Sequence, residues 1–329
     1  MKRDFWLGGL YIALAAVIFS TLEVFLKLPA VAGAFHPLQI TVERFIVGGL
    51  CLLPLALRSL RKLHYRLTRK DLAFFALIGL LNVPLGMVFY QLAITHGQAN
   101  VVAVLFSGNP IFVTMLAFLL LREPIRWNNL LALALEVIGI LAIIDPWGSG
   151  EVSLLCVGLS ILSALFFSLY AVLGKQKTAQ VGSIVVTCFS LLLGALELLL
   201  LLLLGHTGVG AALYERVGLT IFCDVPFFQG LNATTLPYFL FIGVVNCAGG
   251  YVFHMLGIEK TSATYGSLAF FVKPILAPLF ALAVLGEAIT QPIALGILFF
   301  LAGSLLGILP DMLRQRRAKE ITETEGTSL

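Results

Sequence analysis

Ionisable side chains recur inside long apolar stretches of this 329-residue chain. Lys273 lies near the middle of 262–285, a stretch long enough to cross a bilayer. A cation at that depth costs roughly 3 kcal/mol on insertion scales, so an ionisable residue in such a stretch is a functional candidate by default. The same criterion selects a further set of residues: Glu23, Glu43, Arg44, Glu136, Glu197 and His254.

Lys273 offers an ammonium group beside a weakened helix, because Pro274 removes a backbone hydrogen bond and frees a carbonyl one turn earlier. Two roles remain open for Lys273. In the first, it binds an anionic part of a ligand, or cycles between that ligand and a carboxylate. In the second, it forms a structural salt bridge with Glu23 or Glu136. These two glutamates are also the predicted proton carriers, because a buried carboxylate takes up a proton more readily than an exposed one.

Glu43 and Arg44 are neighbours in sequence, so their side chains point about 100° apart on a helix and do not automatically pair. Arg44 is several residues inside its apolar stretch, where it would serve as an internal counter-charge. Internal salt bridges that hold the helices together are the alternative for both residues.

Neutral polar residues form a second group of candidates. Asn82 and Asn246 each lie in a stripe of glycines at helical spacing. Small residues let membrane helices approach closely, and an asparagine hydrogen-bonds across such a contact, so helix packing is the first interpretation and a site lining the second. Tyr90, Gln91 and Tyr170 would line a cavity, although aromatic residues in apolar helices usually pack.

Composition indicates the fold class. The chain is 60% hydrophobic and 12% charged, with a mean hydropathy of +1.02, whereas soluble domains carry about 25% charged residues. We predict an all-α polytopic membrane protein. Five cysteines without a CxxC pair predict neither a metal site nor a disulfide framework. We expect no cofactor and no nucleic-acid partner, since the net charge of +4 comes from short basic loops.

Ten apolar stretches are long enough to be transmembrane spans. They are 6–28, 37–57, 72–95, 99–121, 128–146, 153–174, 183–204, 236–257, 262–285 and 291–310. Lysine and arginine gather in the loops on one side, and Arg216 alone falls on the other. Basic loops stay in the cytoplasm, so we predict cytoplasmic termini, a cytoplasmic tail over 311–329 and an outer segment over 205–235, in the cell membrane.

The spans fall into two similar units, 6–146 and 153–310. From Leu72/Leu236 to Pro146/Pro310 the second unit follows the first at a constant offset of 164 residues, which pairs Asn82 with Asn246 and Phe106 with Phe270. Earlier in each unit the offset is 148, and Phe19 pairs with Phe167. Five spans is an odd number, so the second unit enters the membrane inverted. This symmetry predicts that Lys273 and its twin Asn109 flank one site at comparable depth.

The sequence Lys273-Pro274-Ile275 followed by Gly286-Glu287-Ala288-Ile289, and its twin Asn109-Pro110-Ile111 followed by Glu123-Pro124-Ile125, resemble the EamA repeat of the drug/metabolite transporter superfamily. The resemblance covers 8–310. It implies a ten-helix transporter that usually exports amino acids or other small metabolites. Lys273 departs from the family pattern, in which this position is usually uncharged or acidic, and is similar to the basic residues of phosphate-sugar translocators.

The sequence thus predicts a secondary transporter, not an enzyme, that moves a small metabolite by alternating access. We expect an exporter driven by a proton gradient or by solute exchange. Its expected partners are a small-molecule metabolite and the lipid bilayer, with a homo-oligomer as an open possibility. The alternative is an integral membrane enzyme or a flippase that acts on lipid-linked substrates.

Overall fold

The computed structural model describes residues 2–121, 127–145, 152–261, 269–303, 305–306 and 310. Its long helices, in chain order, are α1 (Lys2–Lys27), α2 (Pro37–Lys62), α3 (Arg69–His96), α4 (Ala99–Leu120), α5 (Trp127–Ile144), α6 (Leu154–Val181), α7 (Ser183–Gly205), α8 (Leu236–Lys260), α9 (Ala269–Leu285) and α10 (Gln291–Gly303). Short helices at Pro29–Ala32, Gly208–Arg216 and Thr220–Phe222 lie in the connections. No β-strand occurs in the described part of the chain.

Within those residues, seven helices are long and apolar enough to cross a membrane, namely α1–α4 and α6–α8. Shorter apolar helices occupy the other three predicted spans: Leu130–Ile144, Lys273–Leu285 and Gln291–Gly303. The all-helical membrane class is therefore confirmed, while the count of ten spans and their inverted arrangement stay predictions. The predicted tail over 311–329 lies outside the described residues.

Two helices continue farthest beyond the predicted ends of their spans. α2 continues to Lys62 and α6 to Val181, so Arg58, Arg61, Lys62, Lys175 and Lys177 lie on helices and not in loops. Lysine and arginine are good helix formers, and their cations are favourable near a helix C-terminus. Their side chains also extend beyond the apolar stretch, so hydropathy alone places the helix end too early.

Three helices contain breaks. α3 and α8 each include a π-helical segment, Leu81–Met87 and Phe241–Gly250, and these segments hold the twin residues Asn82 and Asn246. Such segments are frequent at functional sites. α4 is divided by a turn at Ser107–Gly108 into Ala99–Phe106 and Asn109–Leu121.

The predicted span 99–121 would place Pro110 in the middle of a helix, and the structure does not. Pro110 lies in the first turn of Asn109–Leu121, where a missing N–H removes no helical hydrogen bond. Pro274 lies inside α9, as predicted.

Glycines let the helices approach closely, which confirms the packing interpretation of the small-residue stripes. A Cβ at Gly79 would lie 2.7 Å from Ser190 O and Gly194 N of α7. A Cβ at Gly250 would lie 2.7 Å from Phe19 Cε1, which brings α8 against α1. α1 also packs along α9.

The 205–235 segment folds back onto the start of α2. Gln39 Nε2 donates to Gln229 O at 2.8 Å, and Phe228 N donates to Glu43 Oε1 at 3.0 Å. Gly230 sits directly against Ala34, and its positive φ of 78° explains the glycine. This segment therefore marks one end of the bundle, called here the loop-rich end.

Candidate functional site

Lys273 of α9 and Glu23 of α1 form an ion pair in the interior. Nζ of Lys273 lies 2.6 Å from Glu23 Oε1, and the two side chains are 2% and 0% exposed. Removing one member of a buried pair leaves the other charge uncompensated, which costs about 3–5 kcal/mol. Both charges are therefore held in place by each other.

Tyr90 of α3 completes this cluster. Its hydroxyl donates to Glu23 Oε1 and accepts a hydrogen bond from Lys273 Nζ at 3.0 Å. The other carboxylate oxygen, Glu23 Oε2, is buried and has no hydrogen-bond partner within the described residues. The centre thus contains one paired cation, one bridging hydroxyl and one spare acceptor that a proton or a ligand donor can use.

Aromatic rings enclose the ammonium group. Lys273 Nζ lies 4.8 Å from the ring centroid of Phe106 and 5.3 Å from that of Tyr90, within cation–π range. A cavity of about 20 Å³ lies beside it, lined by Phe19, Leu22, Met87, Tyr90, Phe106, Phe167, Tyr251, Phe270 and Lys273. That volume has room for about one water molecule. We call these lining residues the aromatic cage.

The cage is built from residues that the internal repeat relates. Phe106 and Phe270 are twins, as are Phe19 and Phe167, and their rings meet: the Phe106–Phe270 centroids are 5.9 Å apart and the Phe106–Phe167 centroids 5.4 Å. Met87 and Tyr251 are also separated by the offset of 164 residues. Equivalent positions of the two units therefore converge on Lys273.

Sequence reasoning did not select these aromatic residues. Phe19, Phe106, Phe167 and Phe270 were identified only as repeat matches, and Tyr251 was not singled out. One observation could have predicted them: phenylalanines that the repeat pairs lie in the same helices as the buried charges Glu23 and Lys273. Single phenylalanines in apolar helices carry no such information, because most of them pack against other helices or lipid.

A second, larger cavity of about 290 Å³ opens at the loop-rich end. It is lined by Leu26, Lys27, Val31, Ala32, Phe35, Pro37, Ile40, Gln91, Ile94 and Thr95. Gln91 is next to Tyr90 in sequence, and its Oε1 is buried without a hydrogen-bond partner in the described part of the chain. We call this cavity the vestibule, since the residues that line it lie about one helical turn from the centre.

Arg44 is buried without a counter-ion among the described residues. Its side chain is fully buried, and Nε, Nη1 and Nη2 have no hydrogen-bond partner there. The guanidinium lies 5.0 Å from the Phe45 ring centroid, a contact worth at most about 2 kcal/mol. An uncompensated buried ion costs several kcal/mol. For the predicted counter-charge role of Arg44, the described part of the chain supplies no carboxylate partner.

Glu43 does not pair with Arg44. Its Oε1 accepts hydrogen bonds from Gln39 Nε2 at 3.1 Å and from Phe228 N, so it anchors the 205–235 segment. Glu197, in α7, is half-buried, and its Oε2 has no hydrogen-bond partner among the described residues.

Glu136 of α5 lies beside the break in α4. A Cβ at Gly108 would be 2.9 Å from Glu136 Oε2, and a Cβ at Gly303 of α10 would be 3.1 Å from its Cγ. The structure therefore pairs Lys273 with Glu23, the first of its two predicted partners, and places Glu136 in a separate contact among α4, α5 and α10.

The three candidate asparagines make helix contacts. Asn246 Nδ2 donates to Ile18 O at 2.8 Å, and Asn82 Oδ1 accepts from the Tyr251 hydroxyl at 3.3 Å. Asn109 Nδ2 donates to Ala164 O of α6 at 3.4 Å, and Asn109 begins the second part of α4 after the turn at Ser107–Gly108. On α4, Phe106 takes the position against Lys273 that the symmetry assigned to Asn109.

His254 and Tyr170 lie next to the cage. The His254 ring is 5.4 Å from Phe270 and 5.9 Å from Phe19, and the buried Tyr170 ring is 5.9 Å from Phe167. His254 is the twin of Tyr90 at the offset of 164. The structure thus brings Lys273, Glu23, Tyr90, His254 and Tyr170 to one region around the cage.

The EamA-like transporter family model matches the chain twice, over residues 6–145 and 154–309. A Clostridium kluyveri protein named as an uncharacterized transporter is 30% identical over 98% of both chains. A probable terminal-alkyne amino-acid exporter of Streptantibioticus cattleyicolor is 24% identical, over 87% of this chain and 90% of its own. A crystal structure with 15% identity superimposes with a TM-score of 0.62, over 92% of this chain and 96% of that one, which shows a shared fold.

Proposed function

Because this chain belongs to the EamA-like transporter family, we propose that it is a secondary transporter that exports a small metabolite across the cytoplasmic membrane by alternating access. Its relatives are named as transporters, and one of them is named as a probable amino-acid exporter. Seven long apolar helices and the lipid environment that they require agree with this function.

The observation that carries the proposal is the buried cluster of Glu23, Lys273 and Tyr90. Intramembrane ionisable residues mark substrate or proton pathways, and this cluster lies between helices of the two family-model matches. A structural salt bridge needs neither an unpartnered carboxylate oxygen at Glu23 Oε2 nor an adjoining cavity. In a transport centre, the oxygen accepts a proton or a ligand donor, and the cavity gives the ligand room.

The proposed cycle has two states of Lys273. In one state its ammonium pairs with Glu23, as in this structure. In the other state Lys273 binds an anionic part of the metabolite, and Glu23 is released to take a proton. Pairing in one state, and ligand binding with protonation in the other, leave neither Lys273 nor Glu23 as an uncompensated charge, which is the costly condition in a bilayer.

Transport in this proposal runs on a proton gradient or on solute exchange. Glu23 is the main proton carrier, and Glu136 is a second one beside the break in α4. The ten-span, inverted-repeat architecture is part of the same proposal, with units over 6–146 and 153–310, cytoplasmic termini and the 205–235 segment outside. Inverted repeats give alternating access by rocking one unit against the other.

The competing candidates are an integral membrane enzyme and a flippase. A flippase would move labelled lipid in vesicles that contain the protein, and an enzyme would convert its substrate without moving it. The distinguishing experiment is flux in reconstituted proteoliposomes with an imposed pH gradient and no nucleotide. Saturable movement of an unmodified water-soluble metabolite is expected, and an absolute requirement for ATP would contradict the proposal.

A further inference from the structure

Arg44 lies one helical turn from a residue that lines the vestibule. Ile40 of α2 lines that cavity, and Arg44 is one turn deeper on the same face of the helix. Leu26 and Gln91 line it on α1 and α3, and Leu22 and Met87, one turn deeper on those helices, line the aromatic cage. Arg44 is not among the residues that line either cavity, and it lies about 10 Å along α2 from the start of that helix at Pro37.

The charge of Arg44 acts on the centre. It is close enough to Tyr90 and Tyr251 to interact electrostatically with both hydroxyls. Phe45, whose ring contacts the guanidinium, also packs edge-to-face on Tyr251, with centroids 5.9 Å apart. Arg44 therefore belongs to the same interior region as the Glu23–Lys273 pair and is not an isolated surface cation.

Two carboxylates of the described interior contact groups other than Arg44. Glu23 pairs with Lys273, and Oε1 of Glu43 accepts hydrogen bonds from Gln39 and Phe228. The stretch 262–268, which precedes α9, contains no aspartate or glutamate. In the described part of the chain, the three side-chain nitrogens of Arg44 thus remain available to a ligand.

We propose that Arg44 binds the anion in the state that this structure describes, in which Lys273 is paired with Glu23, and that the metabolite is a small anion bearing a carboxylate or a phosphate. The inference rests on the proposed transport function and specifies its substrate class. Guanidinium suits this role, because its planar fork binds a carboxylate or phosphate through two parallel hydrogen bonds. The vestibule of about 290 Å³ is at the lower limit of ligand-pocket volumes, which restricts the anion to a small metabolite.

The buried but unpartnered guanidinium gives a test that needs no transport assay. Thermal unfolding of the purified full-length protein in detergent is followed with succinate, with inorganic phosphate, and with uncharged succinamide, all at constant ionic strength. Succinate or phosphate is expected to raise the melting temperature by a few degrees, because a ligand that binds only the folded state stabilises it. Succinamide is expected to leave it unchanged, and the better of the two anions identifies the anionic group.

Arg44→Met retains the volume of the side chain and removes its charge. We expect this variant to lose the anion-dependent shift and to melt, without anions, no lower than the wild type, because replacing an unpaired buried ion by an apolar residue does not destabilise. The matched control is Arg216→Met, on the exposed short helix Gly208–Arg216, which should keep the full shift. Should Arg44→Met fail to fold, Arg44→Lys replaces it, with anion affinity about tenfold weaker than the wild type.

An anion-dependent shift that persists in Arg44→Met, an undiminished affinity in Arg44→Lys, or no stabilisation of the wild type by either anion would overturn the inference. Failure of the proposed function looks different. Anion binding through Arg44 without any flux in proteoliposomes contradicts transport, whereas saturable flux of a neutral metabolite without anion binding contradicts only the role of Arg44.

Discussion

Lys273 Nζ and Glu23 Oε1 lie 2.6 Å apart in the interior of the bundle, where the two side chains are 2% and 0% exposed. The two residues are 250 positions apart in sequence, and they meet because α1 packs along α9. Each charge makes the burial of the other tolerable, and Tyr90 hydrogen-bonds to both. When a third charge or a proton enters, the ion pair between Lys273 and Glu23 can open, because the two charges no longer have to neutralise each other. A transport cycle requires such a change between two states.

The hydroxyl of Tyr90 is expected to matter more than its ring. Tyr90→Phe removes two hydrogen bonds to charged groups, each worth about 1.5–3 kcal/mol, and retains the aromatic packing. Flux should fall about tenfold to a hundredfold in proteoliposomes with unchanged protein content. Tyr11→Phe is the control, because the Tyr11 ring stacks on Phe253 at 5.8 Å, away from the cluster. Equal flux in the wild type and Tyr90→Phe would show that the bridge has no part in transport.

The 205–235 segment is expected to loosen when its anchor is removed. Glu43→Ala takes away the acceptor for Phe228 N, whereas Glu43→Gln keeps a side-chain oxygen at the same place. Hydrogen exchange of the Phe228 amide should become about tenfold faster or more in the alanine variant, because a hydrogen bond to a charged group is lost. The glutamine variant should remain close to the wild type. Full protection of that amide in Glu43→Ala would contradict the anchoring role.

Glycine is expected to be required where α3 meets α7. A Cβ at Gly79 would lie 2.7 Å from backbone atoms of Ser190 and Gly194, so Gly79→Ala forces the helices apart. Overpacking of this kind costs about 1–3 kcal/mol, and the melting temperature of the detergent-solubilised protein should fall by several degrees. Gly158→Ala is the matched control, since nothing lies within 4 Å of its Cβ position. No difference between the two variants would refute the close contact.

Cys223 tests which side of the membrane holds the 205–235 segment. It is half-buried there, and partial burial, followed by the carboxylates of Glu215 and Asp224, raises the pKa of its thiol. The thiolate is the reactive form, so labelling of intact cells by a membrane-impermeant maleimide should accelerate as pH rises from about 7 to 9. Asp224→Asn should accelerate labelling at neutral pH, and Cys223→Ser should abolish it. Labelling only in inside-out vesicles would reverse the predicted orientation.

The sequence predicts the helical membrane class from its apolar stretches. It also singles out Lys273, because a charged residue inside an apolar stretch can be recognised without a structure. It left two partners open for Lys273, since Glu23 and Glu136 are both buried glutamates and only the packing of α1 on α9 favours the first. On α4, the ring that lies 4.8 Å from Lys273 Nζ belongs to Phe106, on the other side of the turn at Ser107–Gly108 from Asn109. Hydropathy does not show that turn, because the apolar stretch 99–121 runs through it.

The sequence also did not predict that Arg44 has no counter-ion among the described residues. Its neighbour Glu43 suggested a nearby counter-charge, yet the two side chains diverge on α2, and Glu43 is held by a loop more than 180 residues away in sequence. Only the complete set of interior carboxylate contacts shows that the guanidinium has no protein counter-ion within the described residues.

The central claim is that the Glu23–Lys273 pair is the transport centre. Proteoliposomes are loaded with an isotopically labelled cell extract, and the metabolites that leave them under a pH gradient are identified by mass spectrometry. The wild type should release one metabolite or a small related set. Lys273→Ala and Glu23→Gln should insert normally and release none of it, and the double variant should restore folding stability but not flux. Normal release by Lys273→Ala, or restored release by the double variant, would contradict the account.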